Sequence, residues 1–217
     1  MKKANRQRWW RTAVLASGLM MTVVFLSMPV SAQTIVDTWD GVKAPPAPEL
    51  KSVILDSRAT ALLLLDFNKQ TCNAERRPRC IASIPKVQKL LEQARGKGIT
   101  VIYSLSAGAT TADIARNLAP RTGEAVVTAG PDKFMGTDLE KILMDKGIKT
   151  VVVAGTAAHG AVLYTASGAA LRGMQVILPV DGMSAENSYA EQYTAWHLAN
   201  APRVSARVIL TTIERIK

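Results

Sequence analysis

Cysteine and histidine are almost missing from this 217-residue chain, which has two of each, and the shortage removes whole classes of chemistry. Cys72 and Cys80 have no second cysteine pair, and His159 and His197 do not fall at a zinc-ligand spacing, so no metal site is expected. Acidic residues are also in the minority, 17 against 27 basic. Five of the basic ones (Lys2, Lys3, Arg6, Arg8, Arg11) lie in the first 32 positions, which hold no acid, and 22 remain beyond them. That mild excess, with no basic run interleaved with aromatics, gives nucleic-acid binding little support. No internal repeat is visible.

What is present begins with an apolar segment from about Ala13 to Val30, preceded by those five basic side chains and closing on Val30-Ser31-Ala32. A basic start, an apolar core and a small-x-small site read as a secretory signal, 1–32, cleaved after Ala32. An uncleaved anchor is the competing reading, but Ser17, Gly18, Thr22, Ser27 and Pro29 interrupt the run. The expected product is a periplasmic or secreted protein with no stable membrane span. Residues 33–56 contain Pro45-Pro-Ala-Pro48 and read as an extended arm, with Trp39 anchoring it to the surface. The remainder, 57–217, is long enough for one domain with a full core. In an oxidising compartment an even cysteine count and a short loop favour a Cys72–Cys80 disulfide; a free reactive thiol is the alternative.

Runs rich in Val, Ile and Leu recur at 61–67, 100–105, 150–154, 175–180 and 208–212, with a weaker one at 125–128. They are continuous rather than alternating, as strands buried on both faces are. Segments of helical period lie between them at 84–97, 111–117, 137–146, 161–172 and 189–200. Alternation of this kind predicts an α/β fold, a three-layer αβα sandwich around a mostly parallel, about six-stranded, Rossmann-like sheet. Lys97-Gly98, Lys146-Gly147 and Arg172-Gly173 mark helix ends. Pro85 suits a first helical turn, and Thr137 with Glu140 suits a capping box.

Ligand chemistry in such sheets sits at the carboxyl ends of strands. Three motifs fall there: Leu62-Leu-Leu-Leu-Asp66-Phe67, Asp132-Lys133-Phe134-Met-Gly-Thr137, and Val153-Ala-Gly155-Thr156-Ala157-Ala158-His159-Gly160-Ala161-Val162. A carboxylate after four leucines needs a cation nearby or a capping role, and Lys133 could be that cation or a solvated lysine. His159 has no visible partner for a metal or a relay, and reads as a pocket contact or as a surface or capping histidine. Asp181 and Gly182 at the same edge read as loop formers.

Together these motifs resemble the isochorismatase-like hydrolases, the superfamily that also holds nicotinamidases and N-carbamoyl amidases, over roughly Ser57 to Lys217. The resemblance implies that Asp66 is the general acid or base and that Lys133 supports it, although the family's lysine usually stands several residues before the phenylalanine rather than directly before Phe134. It implies a cis peptide at Thr156–Ala157, and backbone amides around Thr156, Ala157, His159, Gly160 and Ala161 that face a substrate or oxyanion. The amidases' nucleophilic cysteine is replaced by Ala161, which cannot form a thioester. No cofactor is implied, the expected partner is a small-molecule ligand or substrate, and a homo-oligomer stays open. Three readings follow. One is hydrolysis by Asp66 without a covalent nucleophile, as in isochorismatases proper, where a vinyl ether is protonated and water captures the oxocarbenium ion. Another is an inactive binding module for a small molecule or protein, and the third has Cys72 or Cys80 as a displaced nucleophile.

Overall fold

The computed structural model describes residues 33–217, so the segment read as a signal, 1–32, lies outside the described residues. The chain divides into two units after Ala44. In the described part of the first, Thr34 caps a single helical turn, α1 (Ile35–Thr38), its amide and hydroxyl both donating to Asp37 Oδ2 at 2.8 Å. A 3₁₀ turn, Trp39–Gly41, follows. Trp39, read as the anchor of the arm, opens this turn within the first unit.

Residues 45–217 build the sandwich. Its strands are β1 (Thr60–Leu65), β2 (Thr100–Leu105), β3 (Ala125–Thr128), β4 (Thr150–Thr156), β5 (Gln175–Pro179), β6 (Met183–Ser184) and β7 (Val208–Thr211). Their order is β3-β2-β1-β4-β5-β7, with β6 beside the end of β4, and every pairing is parallel. The leucine run of β1 explains the layering. Ala61, Leu63 and Leu65 face one core with Val151 and Val153, whereas Leu62 and Leu64 face the other with Val152 and Ala154. The helices α3 (Leu139–Asp145), α4 (Leu163–Leu171) and α5 (Ser188–Asn200) cover the first face, and α2 (Pro78–Gly96) covers the second through Val87, Leu90, Leu91 and Ala94. The arm is also tied down: the amides of Lys51, Val53 and Leu55 donate to the carbonyls of Leu210, Arg215 and Lys217.

Several local expectations are corrected. The sheet has seven strands, because β6 is two residues long and too short to show a period. Residues 111–117 form two 3₁₀ turns, Thr111–Asp113 and Arg116–Leu118, with only Ile114 and Leu118 buried. Helix α2 starts earlier than its apolar period, with Pro78 at its first position, which leaves Pro85 inside the helix. No capping box forms before α3. Thr137 instead donates to the Lys133 carbonyl at 2.6 Å, and Glu140 bonds Arg172 at 2.9 Å.

Register brings the site to one edge. Leu65 pairs with Ser104 on one side and Gly155 on the other, so Asp66, just past the end of β1, comes beside Thr156, the last residue of β4. Gly155 makes this closeness possible, since a Cβ there would stand 2.5 Å from the Leu65 carbonyl oxygen, at φ +157°. Gly155→Ala should therefore cost about 3 kcal/mol or more through forced separation of the two central strands. Urea unfolding checks it; a loss under about 1 kcal/mol would show that the edge can relax.

Candidate active site

Asp66 turns out of β1 with φ +55°, a left-handed conformation that aspartate tolerates better than most residues. Its amide still donates to the Ser104 carbonyl at 3.1 Å, and its own carbonyl accepts the Thr71 hydroxyl. The carboxylate is buried and has a donor on each oxygen. Ser104 Oγ donates to Oδ1 at 2.7 Å, and Lys133 Nζ donates to Oδ2 at 2.7 Å. Lys133 is fully buried and also donates to the Ala129 carbonyl at 3.2 Å. The two sequence candidates are thus brought together as an ion pair, although Lys133 directly precedes Phe134.

Segment 131–137, which carries that lysine, rests on α4. Thr165 Oγ1 accepts the Lys133 amide at 3.2 Å and donates to the Pro131 carbonyl at 3.4 Å. Asp132 Oδ1 caps the Phe134 amide at 3.0 Å, and the Arg172 guanidinium lies 4.4 Å from the centre of the Phe134 ring.

The turn after β4 is the third component. The peptide between Thr156 and Ala157 is cis, in agreement with the resemblance. Residues Ala158–Val162 form a π turn interrupted at Gly160 (φ −120°, ψ −106°), and regular helix starts at Leu163. The amides of Gly160 and Val162 fold back on the Ala157 carbonyl at 3.0 and 3.2 Å, so the Gly160 amide has an internal acceptor rather than an open one. Thr156 Oγ1 donates to the Ser184 carbonyl at 3.2 Å. Ala161 is buried with Ala158 and Val162 against the α3–α5 core. His159 is exposed.

The loop between β1 and α2 closes the edge. Cys72 and Cys80 are joined, with Cα atoms 5.4 Å apart, so neither is a free nucleophile and the displaced-thiol reading falls. Arg77, buried, donates from Nη1 to the Thr71 carbonyl at 3.0 Å and pairs with Glu186 at 2.7 Å. Burial of the Glu186 carboxyl works against its ionisation, but the Arg77 hydrogen bond, a backbone hydrogen bond and the charge of Arg77 together outweigh it and hold its pKa below the usual value. Asp181, read as a loop former, accepts the Ile213 amide at 2.9 Å and pairs with Lys86 at 3.2 Å. A cleft of about 280 Å³ lies between Pro45–Pro48, Leu50, Met183 and Trp196, and its walls contain none of the sequence-predicted site residues. No helix among the described residues is long and apolar enough to cross a membrane.

An aspartate and a lysine joined at the carboxyl edge, beside a cis peptide that leads into a helix, define a recognisable arrangement, and comparison with known families matches the isochorismatase domain over residues 60–213. The chain belongs to the isochorismatase family. Within it, a protein of Verticillium dahliae described as a secreted isochorismatase effector is 37% identical over 113 residues, 47% of this chain and 60% of that protein. An N-carbamoylsarcosine amidase of an Arthrobacter species is 31% identical over 124 residues, 44% of this chain and 47% of that one. The chain thus spans roughly half to three-fifths of the curated relatives it matches. Among solved structures, an isochorismatase-like hydrolase from Alkaliphilus metalliredigens superposes with a TM-score of 0.63 at 23% identity, over 71% of this chain and 87% of that one. A cysteine hydrolase from Pseudomonas syringae pv. phaseolicola gives 0.65 at 18%, over 80% and 98%.

Sequence reading of this isochorismatase domain missed Ser104, Thr165 and the Arg77–Glu186 pair. Ser104 had a signal, a polar residue near the end of an apolar run at the same edge as Asp66. Lys133→Met in the isochorismatase domain leaves the Asp66 carboxylate buried without its cation, and should destabilise by roughly 3 to 5 kcal/mol. Adding Asp66→Asn should recover most of that loss in chemical denaturation. If the single variant unfolds like the parent, the pair is not closed to water.

Proposed function

We propose that this isochorismatase-family chain is an exported hydrolase of a small molecule, in which Asp66 moves the proton and no side chain forms a covalent intermediate. The observation that carries the reading is the Asp66 carboxylate, held by Lys133 and Ser104 at the sheet edge while the neighbouring helix start offers only the Ala161 methyl. In this scheme Asp66 gives its proton to the carbon of a vinyl ether, water adds to the oxocarbenium carbon so formed and returns a proton to the carboxylate, and the resulting hemiketal breaks its C–O bond to release an alcohol and a carbonyl product. Lys133 stabilises the carboxylate anion in the interval between proton donation and proton return, and unspent amides of the Thr156–Ala161 turn orient the substrate. Export with cleavage after Ala32 is supported by the basic-apolar N-terminal pattern, by the Cys72–Cys80 bridge and by a relative described as secreted.

One observation favours a second reading, a binding module that keeps the fold without turnover: Asp66 and Lys133 are only 5% and 0% exposed, and both carboxylate oxygens already have donors. Asp66→Asn separates the two. For the hydrolase, turnover found by screening small esters, amides and vinyl ethers should fall about a hundredfold with folding retained. A binding module gives no turnover with either protein, and only ligand affinity changes. A variant equal to the parent in both respects would reduce Asp66 to a structural cap.

Ala161→Cys tests the helix start. A thiol there should gain a depressed pKa and alkylate with iodoacetamide at least about tenfold faster than a free cysteine near pH 7. A rate no greater than that of free cysteine would mean that this turn no longer activates a nucleophile.

A further inference from the structure

Lys133 reaches Asp66 from segment 131–137, which has no regular structure of its own, so something must fix the height at which the ammonium arrives. Helix α4 supplies the seat. Thr165 and Gly168 are spaced three apart on one face of α4, and Arg172 caps its end. On that face the Thr165 hydroxyl holds both the Lys133 amide and the Pro131 carbonyl, bracketing the lysine from two sides. One turn on, Gly168 lets the segment come close: a Cβ there would stand 3.2 Å from Phe134 Cδ2 and 3.4 Å from Asp132 Oδ1. At the far end Arg172 covers the Phe134 ring. Thr165 is itself fully buried, and a β-branched hydroxyl within a helix commonly bonds a carbonyl of the preceding turn. Here it is directed outward, at another segment.

We propose that Thr165 is a positioning residue for Lys133, setting the ammonium against Asp66 from α4, the helix that follows the Ala158–Val162 turn. The proposal rests on the reading in which Asp66 and Lys133 act together. It ties the segment that carries the lysine to the helix that follows the turn after β4.

The test needs no substrate. Nitrogen-15 NMR of the lysine ammonium groups should show one signal protected from solvent exchange, assigned to Lys133 by its loss in Lys133→Arg. Thr165→Val keeps the side-chain shape and removes the hydroxyl. It should abolish that signal or speed its exchange at least tenfold, and Thr165→Ser should restore it. Where Thr165→Val does not fold, Gly168→Ala keeps the hydroxyl but pushes on Phe134, and should displace the same signal. An unchanged Lys133 shift and exchange rate in Thr165→Val, or in Gly168→Ala where that variant stands in, overturns the proposal, as does a parent spectrum with no protected lysine. Loss of the Asp66 reading would appear separately, in turnover or ligand binding of Asp66→Asn.

Discussion

A single buried ion pair organises this molecule. Two charges removed from water cost several kcal/mol each unless geometry and extra hydrogen bonds compensate, and the surroundings of Asp66 and Lys133 supply both. Ser104 from β2 takes the second carboxylate oxygen, and the Ala129 carbonyl takes a second ammonium proton. β1, β2, the segment after β3 and α4 therefore meet at one point, and the left-handed turn at Asp66 is the backbone conformation that lets its side chain reach it. Such conformations persist where their surroundings over-determine them. Here four separate elements do so.

Much of this was legible in the sequence, for a physical reason. Strands buried on both faces must be apolar throughout, so the leucines before Asp66 announce both a central strand and the carboxylate that ends it. The Val-rich run before Gly155 likewise announces β4 and the turn that carries Ala161. What stayed hidden depends on contacts between distant segments. Thr137 and Glu140 have capping-box spacing, yet the Thr137 hydroxyl turns back to the nearby Lys133 carbonyl while accepting the Leu139 amide, and Glu140 pairs with the distant Arg172. Pro85 looks like a helix start because the turns before it lack an apolar period; Pro78 and the disulfide-closed loop set the start instead. A two-residue strand such as β6 has no signature, since its pairing is dictated by where β5 leaves β4.

At one sheet edge the cis peptide after β4 and the Asp66–Lys133 pair stand together with a methyl group at residue 161. A scaffold specifies where groups stand, and the identity of one side chain decides which reactions are open.

Ala161 and the Cys72–Cys80 bridge together have an environmental consequence. Enzymes that rely on a cysteine thiolate are silenced by peroxide, electrophiles and mixed disulfides, because the ionised sulfur that attacks substrate is also the one that oxidants find first. This chain has no free sulfhydryl at all. With both sulfurs joined, there is no thiolate for peroxide or an electrophile to trap.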